Sequence, residues 1–103
     1  MWDKLTYNLG TIKAGVKQTM VHKYLGADID IRSVVLACSC TGYKIDRENK
    51  TISIEFVPNK VPKTLRAMGK NSYNVEKNTI VVSVVNNKEQ IDTFKFKATV
   101  KDK

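Results

Sequence analysis

The chain has 103 residues, a length that suits one domain with its own hydrophobic core. Its 42% hydrophobic and 27% charged residues are ordinary for a folded domain, and no apolar run approaches the roughly 18 residues of a membrane span, so we expect no membrane partner. Eighteen basic against ten acidic residues give a net charge of +8, which favours acidic partners.

Alternating apolar residues predict short β-strands in the first part of the chain. Leu5, Tyr7 and Leu9 alternate over residues 5–9, and Gly10 is expected to end that strand. Ala14-Gly15 is typical of a turn, and the following extended segment is predicted to run over 17–25, up to Gly26.

The third predicted strand changes phase along its length. Ile29 and Ile31 share one parity, whereas Val34 and Leu36 share the other. Such a phase change predicts a β-bulge, an extra residue that lets both sets face inward. Thr41-Gly42 is interpreted as the turn that ends this strand.

The second half of the chain contains the clearest strand patterns. We predict strands over 51–57, 79–85 and 91–100, a turn at Asn86-Asn87, and a loop over 58–77 with one helical turn at 64–68. The loop is predicted because Pro58 and Pro62 exclude a central strand there.

These elements together predict the fold class. Short strands with turn signals roughly every ten residues indicate an all-β protein, an immunoglobulin-like antiparallel β-sandwich of about seven strands. We expect a single domain over residues 1–103, with residues 1–4 as a candidate N-terminal arm.

Cys38 and Cys40 form the only C-x-C pair of the chain. Their thiolates could share one strand face and bind a soft ion such as Cu(I), or they could serve redox chemistry. A disulfide between them would be strained on a regular strand, and a zinc site would need more ligands than the chain supplies. The structural interpretation, in which the thiols pack as small apolar groups, is favoured, and no cofactor is expected.

His22 is the only histidine, and no nucleophile or orienting acid accompanies it in the sequence. A general base would need such partners. We therefore predict no catalytic residue and no enzymatic activity.

Lysines alternate along the last predicted strand, at Lys95, Lys97 and Lys101. These lysines are expected on one face of the sheet, where they could bind successive phosphates of a nucleic acid or an acidic protein surface. The alternative is that they protect an exposed sheet edge from pairing with other chains. Only three of the eighteen basic residues are arginine, which disfavours base-specific recognition of nucleic acid.

Two further segments are candidate interface elements. Trp2 is expected either to fold back on the sandwich or to anchor a partner. The loop after the fifth predicted strand mixes apolar and basic side chains, so it is either a binding loop or a cover for one end of the core. Its candidate interface residues are Lys60, Lys63, Leu65, Arg66, Met68, Lys70 and Tyr73.

Several of these features occur together in one family. The segment Asn8–Gly15 resembles the opening "hydrophobic-Gly-x-hydrophobic-x-x-Gly" of a bacterial family of immunoglobulin-like domains of unknown function, and Ala37–Thr41 resembles its Ser-Cys-Gly-Cys-Thr motif. The bulged third strand, 49–56 and 94–100 are also similar to that family, which is akin to hydin-type and major-sperm-protein-type sandwiches. Ser39 stands where the motif has its central glycine, a departure that weakens any transfer of metal binding.

The resemblance also implies a biological setting. Family members are often exported, but this N-terminus has no secretion-signal pattern, so we expect the protein to stay where it is made or to leave inside a larger particle. Such a module resembles the auxiliary, or decoration, proteins of tailed-phage capsids, such as those of crAss-like phages. The expected partner is then the major capsid protein, and the expected location is the virion, after synthesis in the host cytoplasm. The alternatives are a small basic nucleic-acid-associated protein and a thiol metal-binding module.

Overall fold

The computed structural model describes residues 1–26, 28–36 and 41–102. Seven strands and one short helix follow in chain order: β1 (Thr6–Lys13), β2 (Gln18–Lys23), β3 (Asp30–Val35), β4 (Thr41–Asp46), β5 (Thr51–Phe56), α1 (Lys63–Ala67), β6 (Ser72–Val85) and β7 (Lys88–Lys101).

The strands form two sheets. One has four strands in the order β1-β7-β6-β3, and the other has three in the order β2-β5-β4. This grouping confirms the predicted all-β immunoglobulin-like sandwich. All pairs are antiparallel except β1 with β7, which is parallel, so the first strand joins the sheet of the last strand.

The core lies between the sheets because alternate side chains of the strands point inward. Ile52, Ile54 and Phe56 of β5 are buried, as are Phe94 and Phe96 of β7. The rings of Phe56 and Phe96 are in contact, with centroids 4.8 Å apart. The inward set predicted for the last strand, from Phe94 to Val100, is confirmed.

The long β6–β7 hairpin determines the shape of the molecule. Both strands have 14 residues, whereas each strand of the other sheet has six. At about 3.3 Å per residue such a hairpin extends over more than 40 Å. The body is accordingly elongated, with principal extents of 53 × 19 × 17 Å.

Two predicted local features are confirmed. The register of β3 against β6 shifts between Ile31 and Ser33, which places the predicted bulge at Arg32. Asn86 and Asn87 connect β6 to β7 with φ values of 52° and 63°, the positive values that a type I′ hairpin turn requires.

Three sequence predictions are wrong. Gly10 does not end the first strand: it has φ +66° at a bulge, and β1 continues beyond it. Thr41-Gly42 is not a turn but the start of β4, where both residues pair with β5. The predicted loop over 58–77 ends before Ser72, since 72–77 already pair with β7. The helical turn within that loop is confirmed as α1.

Candidate interaction surfaces

The register of β6 with β7 divides the long body into two halves. The boundary lies between the pairs Asn78–Lys95 and Thr79–Phe94. We call the part that contains α1 the helix half and the part that contains the Asn86-Asn87 turn the turn half.

Charge is distributed unequally between these halves. The described basic side chains of the helix half are Lys13, Lys17, Lys44, Lys60, Lys63, Arg66, Lys70, Lys77, Lys95, Lys97 and Lys101, against the acids Glu55, Glu76 and Asp102. The turn half holds Lys4, Lys23, Arg32, Arg47, Lys50 and Lys88 against Asp3, Asp28, Asp30, Asp46, Glu48, Glu89 and Asp92. The positive excess of the protein therefore lies in the helix half.

Each acid of the helix half already has a basic partner. Glu55 Oε2 lies 2.8 Å from Lys17 Nζ, and Glu76 Oε1 lies 3.1 Å from Lys95 Nζ. The hydrogen bond from Lys17 lowers the pKa of Glu55. Asp102 binds Arg66. The remaining lysines of this half, apart from Lys44 beside Glu55, have no acidic partner among the described residues.

Three of these unpaired lysines share the outer face of the four-stranded sheet. Lys97 and Lys101 alternate on β7, and Lys13 of β1 is the register partner of Lys101. Like charges on neighbouring strands are destabilising, so this arrangement does not serve the stability of the sheet. We define the basic surface as these three lysines together with Lys60, Lys63 and Lys70 of the loop at the same end.

The lysine row does not protect a sheet edge. Residues 95–101 of β7 lie between β1 and β6, so both edges of this part of the strand are paired. The edge-protection hypothesis for Lys95, Lys97 and Lys101 is therefore wrong, whereas their predicted placement on one face is confirmed.

The loop before β6 covers the end of the core and presents other residues to solvent. Pro58 and Val61 are buried, and the Val61 amide donates to Asp102 Oδ1 at 3.0 Å. The Tyr73 hydroxyl donates to the Asn59 carbonyl at 2.6 Å. Burial raises the pKa of Tyr73, and the charge of Asp102 acts in the same direction.

The candidate residues of this loop differ in accessibility. Met68 is 69% exposed, Leu65 and Tyr73 are half-buried, and Arg66 is engaged by Asp102. Lys60, Lys63 and Lys70 are exposed. The loop therefore supplies both of the predicted roles, a cover for the core and an accessible basic end.

Trp2 belongs to the core. It is buried, its ring packs edge-on against Tyr24 and Phe94, and its Nε1–H donates to Asp92 Oδ2 at 3.1 Å. The hypothesis that Trp2 anchors a partner is wrong for this structure, and the alternative, folding back on the sandwich, is confirmed. Residues 1–3 lie beside β2, where the Asp3 amide donates to the Lys23 carbonyl at 2.8 Å.

His22 is engaged within the core as well. Its Nδ1 lies 2.6 Å from the Lys4 carbonyl oxygen, and its ring stacks on Phe94 at 3.8 Å between centroids. Because a carbonyl only accepts, Nδ1 carries the proton in this contact. Burial lowers its pKa. Among the described residues no nucleophile or acid is hydrogen-bonded to the ring, although the charge of Asp3 acts on its pKa against the effect of burial.

Cys38 and Cys40, the predicted weak metal candidates, lie outside the described residues. Within the described ranges, no group of three or more His, Cys, Asp or Glu side chains is placed to hold a metal ion. The one helix described has five residues, and none is long and apolar enough to cross a membrane.

A second surface, which the sequence analysis missed, lies on the same sheet face in the turn half. Outward-pointing Val35, Ile80, Val82, Val84 and Ile91 of strands β3, β6 and β7 adjoin one another there. Val35, Ile80 and Ile91 are 55%, 41% and 66% exposed. We call these five residues the apolar patch.

The sequence contained a signal for this patch. In β6 the run from Ile80 to Val85 has apolar residues at both parities, with Val81 and Val85 inward and Ile80, Val82 and Val84 outward. A strand with one solvated face normally alternates between apolar and polar residues, and apolar residues on both faces are typical of a strand covered on both sides.

Comparison with protein-family models, with curated proteins and with solved structures gave no match for this chain. The family resemblance of the sequence therefore stays a prediction. The fold itself follows from the strand order described above.

Proposed function

We propose that this protein is a non-enzymatic structural module that docks on a larger protein assembly through its basic surface, as an auxiliary protein of a tailed-phage capsid. The observation that carries the proposal is that the lysines without an acidic partner among the described residues are concentrated in the helix half. The capsid as the assembly rests on the sequence resemblance, since a fold alone does not identify a partner.

The basic surface suits a protein partner with an acidic exterior. Lys13, Lys97 and Lys101 lie on paired strands of one sheet, and the exposed Met68 at the same end offers an apolar contact beside the loop lysines. A standard interface buries about 800 Å² per partner, and its charges act chiefly on the association rate. Copies on a shell would also gain from multivalency where neighbours touch.

Features of the chain also support a role without catalysis. His22 is engaged by the Lys4 carbonyl and by Phe94. A cleft of about 500 Å³ between the turn after β1 and the loop after β5 is lined by Lys60 and by the Arg66–Asp102 pair, among otherwise apolar or amide groups. Asp102 is held by Arg66 and the Val61 amide, so it is a structural carboxylate there.

Binding to expanded capsids tests the proposal. The wild-type protein should cosediment with them and occur at high copy number in purified virions by mass spectrometry. The double variant Lys97→Gln/Lys101→Gln should bind roughly tenfold more weakly at low salt, because it removes attractive charges from the contact. The matched control Lys23→Gln/Lys88→Gln removes the same charge from exposed lysines of the turn half and should bind like the wild type. Absence of the protein from virions would contradict the proposal.

The unpaired lysines also favour a second candidate, a small basic nucleic-acid-associated protein. Such binding falls steeply with salt, because counterions are released from the phosphates. A gel shift of duplex DNA at low salt that disappears at physiological salt, without capsid binding, would favour this candidate. No shift even at low salt would eliminate it.

A further inference from the structure

We infer that two copies of this chain associate through the apolar patch, face to face and with their long axes reversed, to form a two-fold symmetric dimer. The inference concerns the apolar patch of the turn half and Lys95 at its border, none of which belongs to the basic surface, and it is independent of the function proposed for that surface.

The apolar patch is the first reason. Its residues occupy consecutive rows of the sheet, where a row is a set of register partners on neighbouring strands. The first row holds Val35, Ile80 and Thr93. The second holds Ser33, Val82 and Ile91, and the third contains Val84. Meanwhile the buried inner face of β6 contains the polar residues Thr79 and Ser83, and the Ser83 hydroxyl has no hydrogen-bond partner among the described residues. A strand that turns valine and isoleucine outward and serine inward has an outer face suited to burial.

The contact uses the face rather than the edge of the sheet. The edge strand β3 borders the patch on one side, and its register is interrupted by the bulge at Arg32. On the other side the patch ends at residues 89–93 of β7, which lie beyond the register pairs of β1. Bulges on edge strands hinder pairing with a further strand. The face beside it is regular, because β6 and β7 pair without interruption over all of their 14 residues.

Charge complementarity selects a second copy in the reversed orientation. Glu89 and Asp30 flank Val84 in the row at the turn side of the patch, and Lys95 lies in the row beyond Ile80 at the opposite side. With the axes reversed, the row of Val82 faces the row of Ile80 of the other copy, and Glu89 of each copy faces Lys95 of the other. With the axes parallel, Glu89 would face Glu89 and Lys95 would face Lys95, which is repulsive.

The charge of the whole body favours the same arrangement. The turn half is nearly balanced in charge, whereas the helix half carries the positive excess. In the reversed dimer the turn halves overlap and the two helix halves extend in opposite directions, so the positive excesses lie far apart. Because the patch is smaller than a standard interface, we expect a dissociation constant of the dimer in the micromolar range.

Sedimentation equilibrium of the full chain tests this directly. At concentrations of about 100 µM the wild type should have twice the 11.6 kDa mass of one chain, and it should dissociate on dilution. A wild-type protein that is monomeric at that concentration overturns the inference, and it leaves the proposed capsid docking standing.

Two matched variants locate the contact. Ile91→Lys places a charge in the middle of the apolar patch and should weaken association at least tenfold. Val21→Lys is the control, since Val21 is 42% exposed on the outer face of the other sheet, and it should leave association unchanged. A dimer that persists in Ile91→Lys, with folding checked by circular dichroism, overturns the assigned surface.

A charge swap tests the orientation. Glu89→Lys should weaken the dimer, and adding Lys95→Glu should restore it, because the two positions exchange signs across the two-fold axis. Lys95 also binds Glu76 within the chain, so the urea midpoint of each variant is measured alongside. Failure of the double variant to recover association overturns the reversed arrangement.

Discussion

Among single residues, His22 is a titratable group buried against aromatic rings. It stacks on Phe94, contacts Tyr7 edge-on, and donates from Nδ1 to the Lys4 carbonyl. Burial lowers its pKa below the ordinary value of 6.5, although the carbonyl contact opposes this shift. Burial in the folded protein therefore favours the neutral form of the His22 ring.

The depressed pKa of His22 makes stability depend on pH. Below pH 6.5 His22 becomes protonated in the unfolded chain, whereas in the folded protein it is protonated only below its lower pKa. Proton uptake therefore favours the unfolded state, and the free energy of unfolding should fall as the pH decreases. The slope is at most about 1.4 kcal/mol per pH unit for one proton. Urea unfolding between pH 7 and 5 measures it.

The control for this prediction is His22→Phe, which keeps the stacked ring and removes the titration. Its stability should be lower at neutral pH, because the Lys4 carbonyl loses its donor, but it should change little between pH 7 and 5. The folded-state pKa values of Asp46 and Glu55 are lowered, so these carboxylates titrate at a pH below the range from 7 to 5. Equal slopes in both proteins would contradict the assignment to His22.

Trp2 illustrates what a residue's type does and does not predict. Its size and apolar character predict burial, against this chain or a partner. Burial within this chain rather than against a partner depends on Tyr24 and Phe94, which contact the Trp2 ring, and on Asp92, which accepts its Nε1–H. These residues are far apart in the sequence, so only the folded chain brings them to Trp2.

Among the elements, the β6–β7 hairpin depends on the conformation of its two-residue turn. Asn86 and Asn87 both have positive φ, a region that costs most residues energy and that asparagine tolerates better than most. The Asn-Asn pair thus favours the hairpin, although Asn-Gly is the stronger turn sequence.

Substitution at Asn87 should change stability in opposite directions according to the residue introduced. Asn87→Gly removes the cost of positive φ and should raise the free energy of unfolding by roughly 0.5 kcal/mol. Asn87→Val places a β-branched residue at φ 63° and should lower it by about 1–2 kcal/mol. Urea unfolding of the three proteins measures this, and destabilisation by glycine would contradict the assigned turn.

The errors in element prediction have identifiable causes. Among the described strands β4 pairs with β5 alone, and its inner parity holds Thr41 and the two apolar residues Tyr43 and Ile45, so its apolar signal is short. Its Gly42 suggested a turn, yet Gly42 is not among the positive-φ residues. The start of β6 carries polar residues, and only its pairing with 95–101 of β7 makes it a strand.

At the scale of the whole molecule, the chain has two unlike surfaces on one sheet face. The turn half has the apolar patch and nearly equal numbers of basic and acidic residues. The helix half has lysines with no acidic partner in the part of the chain that the structure describes. A dimer joined through the first would present the second at both of its ends. A bivalent module of this kind would bind a repeating surface more tightly than either half alone.

Crowded like charges in the helix half also predict a salt dependence of folding. Salt screens repulsion between exposed charges, so the free energy of unfolding should rise, by up to about 1 kcal/mol, between low and high NaCl. Urea titrations at concentrations that keep the chain monomeric measure the effect. The variant Lys97→Gln/Lys101→Gln should respond less to salt, and a wild-type stability that falls with NaCl would contradict the prediction.

The sequence alone determined the sandwich, the bulge in β3, the hairpin turn and the inward set of β7, because these follow from local alternation and turn chemistry. It also predicted that Lys95, Lys97 and Lys101 share a face. Only the tertiary structure decided that β7 is a central strand, that Trp2 lies in the core, and that the apolar patch and the basic surface occupy opposite halves. Those facts depend on which strands become neighbours, and neighbours far apart in the chain are selected by packing of the whole core, which no local pattern encodes.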